Sequence, residues 1–273
     1  MIVPRVRLLA AILLLTIQSP CTYAQVAGLQ GITEPYRDAN VSASESGIIT
    51  LIRVREGQLV HTGEVVAELD SQLESLEVSR RKTVADSTVP IDAARTKLES
   101  VALDLEGTRK LHETTRSVSR EDLQKKELEY KLAQADLDQL LVTKEREKIE
   151  LQIAEAQLRR RLVTAPFDGV IVQLMLEVGE SCSVQQPILR IVDVSRCRLV
   201  MHMEQGQSVK LKVGRQVTVK LREIDGTISL PGTVEFLSPL VDAASGLREV
   251  KVLIENADGR VHPGVSASIV ADR

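Results

Sequence analysis

Residues 159–182 read RRRLVTAPFDGVIVQLMLEVGESC. A charged run ends at Arg161, and Ala165-Pro166-Phe167-Asp168-Gly169 then breaks the chain, because proline lacks a backbone donor and glycine admits turns. Apolar, partly β-branched residues follow in strand-like order. An earlier stretch explains why strands start so late in a chain of 273 residues. SGIITLIRVREGQLVHTGEVVAELD, from Ser46 to Asp70, has the layout of DGVIVQLMLEVGESCSVQQPILRIVD, from Asp168 to Asp193. Gly47 aligns with Gly169 and Gly57 with Gly179 at one constant offset, and Asp70 aligns with Asp193 one residue further on. Each copy is too small to bury its apolar face alone, so the two complete each other. APFDG therefore resumes an interrupted domain, whose halves are 40–70 and 163–193. Gly47, Gly57, Gly169 and Gly179 are expected at turns or crowded positions.

The interruption, 71–162, is charged and nearly free of glycine and proline. Leu123, Tyr130, Ala133, Leu137, Leu140, Leu151, Ala154 and Leu158 fall on alternating three- and four-residue steps, with Lys126, Lys144 and Glu147 at the skipped places. That is a heptad-like stripe. Ala94, Leu98, Val101 and Leu105 repeat it in the earlier half. Ser119 with Asp122 three residues on has the form of a helix N-cap with an acid in the first turn. The reading is an antiparallel α-helical hairpin turning near 113–118, with arms of roughly 42 residues reaching about 60 Å, and Pro90 kinking or breaking the first arm. A coiled-coil dimer would satisfy the stripe too, but the flanking halves must meet, which favours a hairpin and leaves its remaining faces for neighbours in an oligomer.

The span 194–273 carries short alternating strands between glycines and reads as a sandwich or small β-barrel. At the other end, Arg5 and Arg7 precede the apolar run Leu8–Ile17, and Thr22-Tyr23-Ala24 is a small-x-small cleavage pattern. Residues 1–24 are expected to be a secretory signal peptide; Gln18-Ser19-Pro20 is a poor lipidation box for Cys21. Cys182 and Cys197 remain, either paired in an oxidising compartment or buried as small apolar groups.

Composition excludes several functions. Aromatic residues are 2% and the net charge is −3, which leaves neither stacking platforms nor a basic footprint for nucleic acid. The four histidines, at 61, 112, 202 and 262, are scattered, and no nucleophile elbow, phosphate loop or HExxH motif occurs. No enzyme activity, cofactor or resident metal is expected. Met201-His202-Met203 offers soft thioethers to Cu(I) or Ag(I), but on a strand the two methionines share one face and His202 points away, as in an ordinary core.

Two such half-motifs resemble the biotinyl/lipoyl-carrier fold. AELDSQ holds no lysine where a carrier needs one, so carriage is not implied. Together with the inserted hairpin, LVTAPFDGVIVQLMLEVGE, and SPLVDAASGLREVKVLIENADGRVHPGVSASI at 238–269 with its Asn256, Pro263 and Gly264, the chain resembles the HlyD-type membrane fusion proteins, the periplasmic adaptors of bacterial efflux and secretion pumps. The resemblance implies a mixed β and α modular chain: a lipoyl-like barrel-sandwich hybrid interrupted by the hairpin (71–162) and followed by a β-barrel (194–273). It implies a periplasmic protein that forms a ring and links an inner-membrane transporter of the RND or ABC type to an outer-membrane channel, with Arg116, Ser117, Val118 and Ser119 at the docking tip. Two departures stand beside it. Many members carry a further membrane-proximal domain, which is not expected here. Members that dock to a TolC-type channel often show Arg, then Leu four later, then Ser seven after that. Here Thr108 and His112 precede Ser119, with Arg109 and Leu111 out of step. The second reading is an envelope scaffold of the same architecture.

Overall fold

The computed structural model describes residues 30–209, 211–223 and 226–270. The expected signal peptide and Cys21 lie outside them. The chain divides into two compact units.

The larger unit holds residues 33–199 and 253–265. Its first part is the two half-motifs folded into each other. After β1 (Gln30–Ser42), the first half supplies β2 (Gly47–Ile52), β3 (Leu59–Val60) and β4 (Val65–Leu69), and the second supplies β5 (Leu162–Thr164), β6 (Gly169–Leu174), β7 (Ser181–Cys182) and the start of β8 (Pro187–Glu204). The repeat is visible bond by bond. Gly47 pairs with Cys182 and Ile48 with Ser181; in the other copy Gly169 pairs with Val60 and Val170 with Leu59. Gly57 N–H donates to Ile171 O, and Gly179 N–H to Ile49 O, both at 2.8 Å. Bulges fall at Ile49/Leu51 and at Ile171/Gln173. Each half thus pairs its short strand with the other half's first strand, and β4 also pairs with β5. The core follows from this exchange: Ile49, Val60, Val66 and Leu69 pack with Ile171, Ile188, Leu189 and Ile191 in one buried cluster. Asp168 adds a staple between the halves, accepting from the Thr62 N–H at 2.6 Å and its hydroxyl at 3.0 Å. Those two donors hold the Asp168 carboxyl below its usual pKa.

Between the halves run α1 (Gln72–Asp86), α2 (Val89–Thr114) and α3 (Arg120–Arg159). The α3 helix has 40 residues, about 60 Å of rise. It packs along both α1 and α2. The stripe residues of α3 are its less exposed ones, with Ala133 and Ala154 buried, and Leu105 is buried on α2. Lys97–Asp136 at 3.1 Å, Arg109–Glu127 at 3.2 Å and Arg81–Glu150 tie the arms together. The first arm breaks between α1 and α2, with Pro90 in the first turn of α2, where its missing N–H is harmless.

That break explains one polar place in the stripe. Ending α1 orphans carbonyls. Lys144, which reaches over from α3, donates its ammonium to Val84 O at 2.9 Å and to Ser87 O, and pairs with Glu147 at 3.1 Å. A cation at a helix C-terminus is also favoured by the helix dipole. We expect Lys144→Met to destabilise the hairpin by about 1–2 kcal/mol. Hydrogen exchange should rise around 84–88 first, and uniform exchange across both arms would contradict this assignment.

The smaller unit contains residues 30–32, 200–252 and 266–270 of the described chain. In it β9 (Gln216–Glu223), β10 (Gly226–Leu237), most of β11 (Leu247–Glu255) and β12 (Ser266–Val270) form antiparallel β-barrel strands. β9 runs beside β10 from Gln216↔Thr233 to Glu223↔Gly226, and beside β12 on its other edge. Period-two alternation puts Val217, Val219 and Leu221 inside with Met201, Met203, Val250 and Ile269. His202, between the two buried methionines, is exposed. The thioethers therefore fill a core and present no soft-metal face.

The candidate docking tip and the joint that carries the hairpin

α2 ends at Thr114 with Thr115 as its C-cap, and α3 starts after the N-cap Ser119. Arg116, Ser117, Val118 and Ser119 therefore sit together in one connection. Ser119 Oγ accepts the Asp122 N–H at 3.1 Å and donates to Asp122 Oδ2 at 2.7 Å, a reciprocal cap. Val118 is half-buried, and its carbonyl lies 2.8 Å from His112 Nδ1. A carbonyl only accepts, so the ring donates from Nδ1. Thr115 Oγ1 donates to Leu111 O at 2.8 Å and meets Ser117 Oγ at 2.6 Å. The closing loop is thus held by its own side chains. Arg116 and Ser117 are exposed, and Arg116 sits at φ +49°.

This geometry sorts the tip by availability. Ser119 and Val118 are engaged in holding the turn, whereas the Arg116 guanidinium has no carboxylate partner among the described residues. A rigid loop that projects one cation and several hydroxyls can grip acceptors on a partner without first ordering itself. Thr108 and His112 lie on the half-buried side of α2, facing the stripe, while Leu111 is exposed. The left-handed conformation at Arg116 is unfavourable for a residue with a Cβ. We expect Arg116→Gly to raise hairpin stability by about 0.5–1 kcal/mol, read from the thermal midpoint, with no change or a decrease contradicting the assignment.

At the opposite end of the hairpin lies a joint with no sequence signal beyond the run Arg159-Arg160-Arg161. Arg161 donates to Ser46 O at 3.0 Å and to Glu74 Oε1 at 2.6 Å, and its Nε lies 3.7 Å from Glu45. One guanidinium therefore links the second half's entry, the first half's start and the base of α1. Charge density alone hides this role, because a cationic helix end is usually solvated.

The four half-motif glycines divide into two pairs. Gly57 and Gly179 have φ of +82° and +93°, which leaves their turns to glycine. Gly47 and Gly169 are crowded instead. A Cβ on Gly169 would lie 2.6 Å from Val192 O, and one on Gly47 would lie 3.2 Å from Arg161 Nη1. Cys182 and Cys197 are both free and buried. Burial pushes the Cys197 thiol up to about 11. Among the described residues no cluster of three or more His, Cys, Asp or Glu is placed to hold a metal, and no helix is long and apolar enough to cross a membrane.

Residues 37–193 match the family described as the CzcB-like, barrel-sandwich hybrid domain. Residues 199–273 match the one described as the CusB-like, beta-barrel domain. An uncharacterized protein of Haemophilus influenzae (strain ATCC 51907 / DSM 11121 / KW20 / Rd) is 24% identical over 246 residues, which are 88% of this chain and 55% of that protein. The chain thus spans about half the length of the curated relative it matches. Among solved structures, MacA from Actinobacillus actinomycetemcomitans superposes with a TM-score of 0.74 at 22% identity, over 89% of this chain and 78% of that one. The membrane fusion protein Spr0693 from Streptococcus pneumoniae R6 superposes at 0.57 and 14%, over 90% and 99%. At such identities the two structures speak for the fold alone. The family matches carry further, since the first alone covers more than half of the chain: it belongs to the family with the CzcB-like barrel-sandwich hybrid domain, followed here by a CusB-like β-barrel.

Proposed function

We propose that the chain is a periplasmic adaptor of a multicomponent efflux or secretion pump. It links an inner-membrane transporter, of the RND or ABC type, to an outer-membrane channel. The observation that carries this reading is the hairpin of about 60 Å, rooted by Arg161 in a sandwich sewn from two chain halves and closed by a self-braced loop that offers Arg116 and Ser117. Such an element supplies reach and ends in a contact surface. The sandwich fixes neighbouring copies in a ring, and the barrel meets the transporter. In this reading the transporter supplies the energy. The protein works in the periplasm, delivered by the signal peptide of residues 1–24.

A photo-crosslinking residue at Ser117 in living cells tests this directly. Capture of an outer-membrane channel is the expected result. Capture of copies of the chain alone, at full expression, would favour an envelope scaffold of the same architecture. One observation supports that second reading: Thr108 and His112 occupy the places of the Arg and Leu that many channel-docking relatives show.

A further inference from the structure

β9 lies between β12 and β10, and the register fixes what stands beside each of its residues. Ser268 of β12 pairs with Lys220 on one side and with Gln30 of β1 on the other. Two places along the same face, Arg222 pairs with Thr227 of β10, and Ser266 is the matching position of β12. The alternation that buries Val219, Leu221, Ala267 and Ile269 turns these neighbours outward together. Gln30, Lys220, Arg222, Thr227, Ser266 and Ser268 thus line one depression of ≈ 240 Å³, wholly within the smaller unit.

The lining carries two cations and no acid, in a chain with 38 acidic residues against 35 lysines and arginines. Composition therefore does not account for it. Exposed cations elsewhere find carboxylates, as Lys97 finds Asp136 and Arg109 finds Glu127. Lys220 and Arg222 are exposed and make no ion pair among the described residues. They stand two residues apart on one face, about 6.5 Å along the strand, where like charges repel. The hydroxyls of Thr227, Ser266 and Ser268 likewise make no hydrogen bond among the described residues, whereas those of Thr62 and Ser195 are taken up by carboxylates. The depression therefore offers a full set of donors to a ligand and spends none of them on the chain.

We propose that this depression binds a small polyol phosphate. A carboxylate would fill the Arg222 fork alone and leave Lys220 unanswered. A phosphate ester has three free oxygens, enough for the bidentate fork of Arg222 and the point charge of Lys220 together. The hydroxyls and the Gln30 amide at the margins both donate and accept, which suits the uncharged hydroxyls of a polyol. Two cations are too few to hold a chain on an anionic bilayer by charge alone, and a depression presents them to one group instead of a surface. The site belongs to the smaller unit, so it stands whether or not the chain joins a pump.

Calorimetric titration of the purified full chain with glycerol 3-phosphate tests this, at low ionic strength where screening is least. Saturable one-to-one binding is the expected result. Arg222→Gln and Lys220→Gln should each weaken it at least about tenfold. The thermal midpoint should stay unchanged, because both side chains are exposed. Lys220→Arg should retain binding. Ser268→Ala should weaken glycerol 3-phosphate about threefold or more and inorganic phosphate less. Equal affinity for glycerol 3-phosphate and sulfate would overturn the polyol assignment and leave a plain anion patch. Binding that survives both cation variants would overturn the site itself. Binding to phosphatidylglycerol vesicles without binding of glycerol 3-phosphate would give this face to a membrane instead. No saturation by about 10 mM with either probe would remove the proposal.

Discussion

Gly169→Val is expected to abolish the cooperative fold of the sandwich, and Gly169→Ala to cost about 3 kcal/mol. A Cβ at Gly169 lies 2.6 Å from Val192 O and 3.0 Å from Ile191 Cγ1. The first contact is with backbone in the β6–β8 ladder, where Val170 pairs with Val192. Neither strand can retreat, because β6 also pairs with β3 on its other side and Ile191 is fully buried. Its repeat partner gives the internal control. A Cβ at Gly47 meets a guanidinium nitrogen of Arg161 at 3.2 Å, and that end of a flexible side chain can give way. Gly47→Ala is therefore expected to fall well below Gly169→Ala in effect. Gly57→Ala has open space around it and a φ of +82°, so it should cost about 1 kcal/mol through the backbone alone. Urea denaturation of the three variants measures the order. A Gly47 effect equal to that of Gly169 would refute the argument from contact.

Asn256→Ala is expected to destabilise the larger unit as much as truncating a buried core side chain, by about 3–4 kcal/mol. Asn256 is buried, and it completes three bonds there. Its amide donates to Val194 O and to Val261 O, each at 2.9 Å, and its Oδ1 accepts the Val261 N–H at 2.8 Å. Removing it takes one bond of roughly 1 kcal/mol or more from each of two carbonyls and one N–H, and leaves the Val261 carbonyl only the weak Cys197 thiol contact. Cys197 shares the same pocket, with Sγ 3.6 Å from Val261 O. Asn256→Asp should be nearly as harmful, because a carboxylate would face two carbonyl oxygens that need donors. If the alanine variant lost less than about 1 kcal/mol, water would have to satisfy those groups, and the Asn256 bonds would not hold this part of the unit together.

What was legible in the chain was what repeats. The paired glycines and the closing aspartates marked the two halves, because a twofold arrangement needs the same backbone geometry twice; the equal bonds at Gly57 and Gly179 are that need made visible. The stripe from Leu123 to Leu158 was legible because burial in a helical pair follows a fixed period. Single-use chemistry was not. Lys144 read as a polar skip in the stripe, and only the break before Pro90, bringing Val84 and Ser87 carbonyls within its reach, explains it. Arg161 read as the last of a charged run, since its partners Ser46 and Glu74 are remote in sequence. At the tip, spacing reads Arg116 to Ser119 only as a group. The contrast between Val118 and Ser119, which hold the turn, and the projecting Arg116 depends on the Val118 carbonyl meeting His112 and on the Ser119 cap, which spacing reveals only in part. Met201 and Met203 behaved as strand alternation requires, pointing inward while His202 points out.

The proposed adaptor bridges two membranes. The measurement that tests it most directly is co-purification from gently solubilised envelopes, with the tagged chain beside its Arg116→Glu, Ser117→Glu variant. The adaptor account predicts that the parent chain brings down both an inner-membrane transporter and an outer-membrane channel, and that the tip variant loses the channel while keeping the transporter. Retention of both by the variant would move the contact away from the tip. A parent chain that brings down neither would contradict the account.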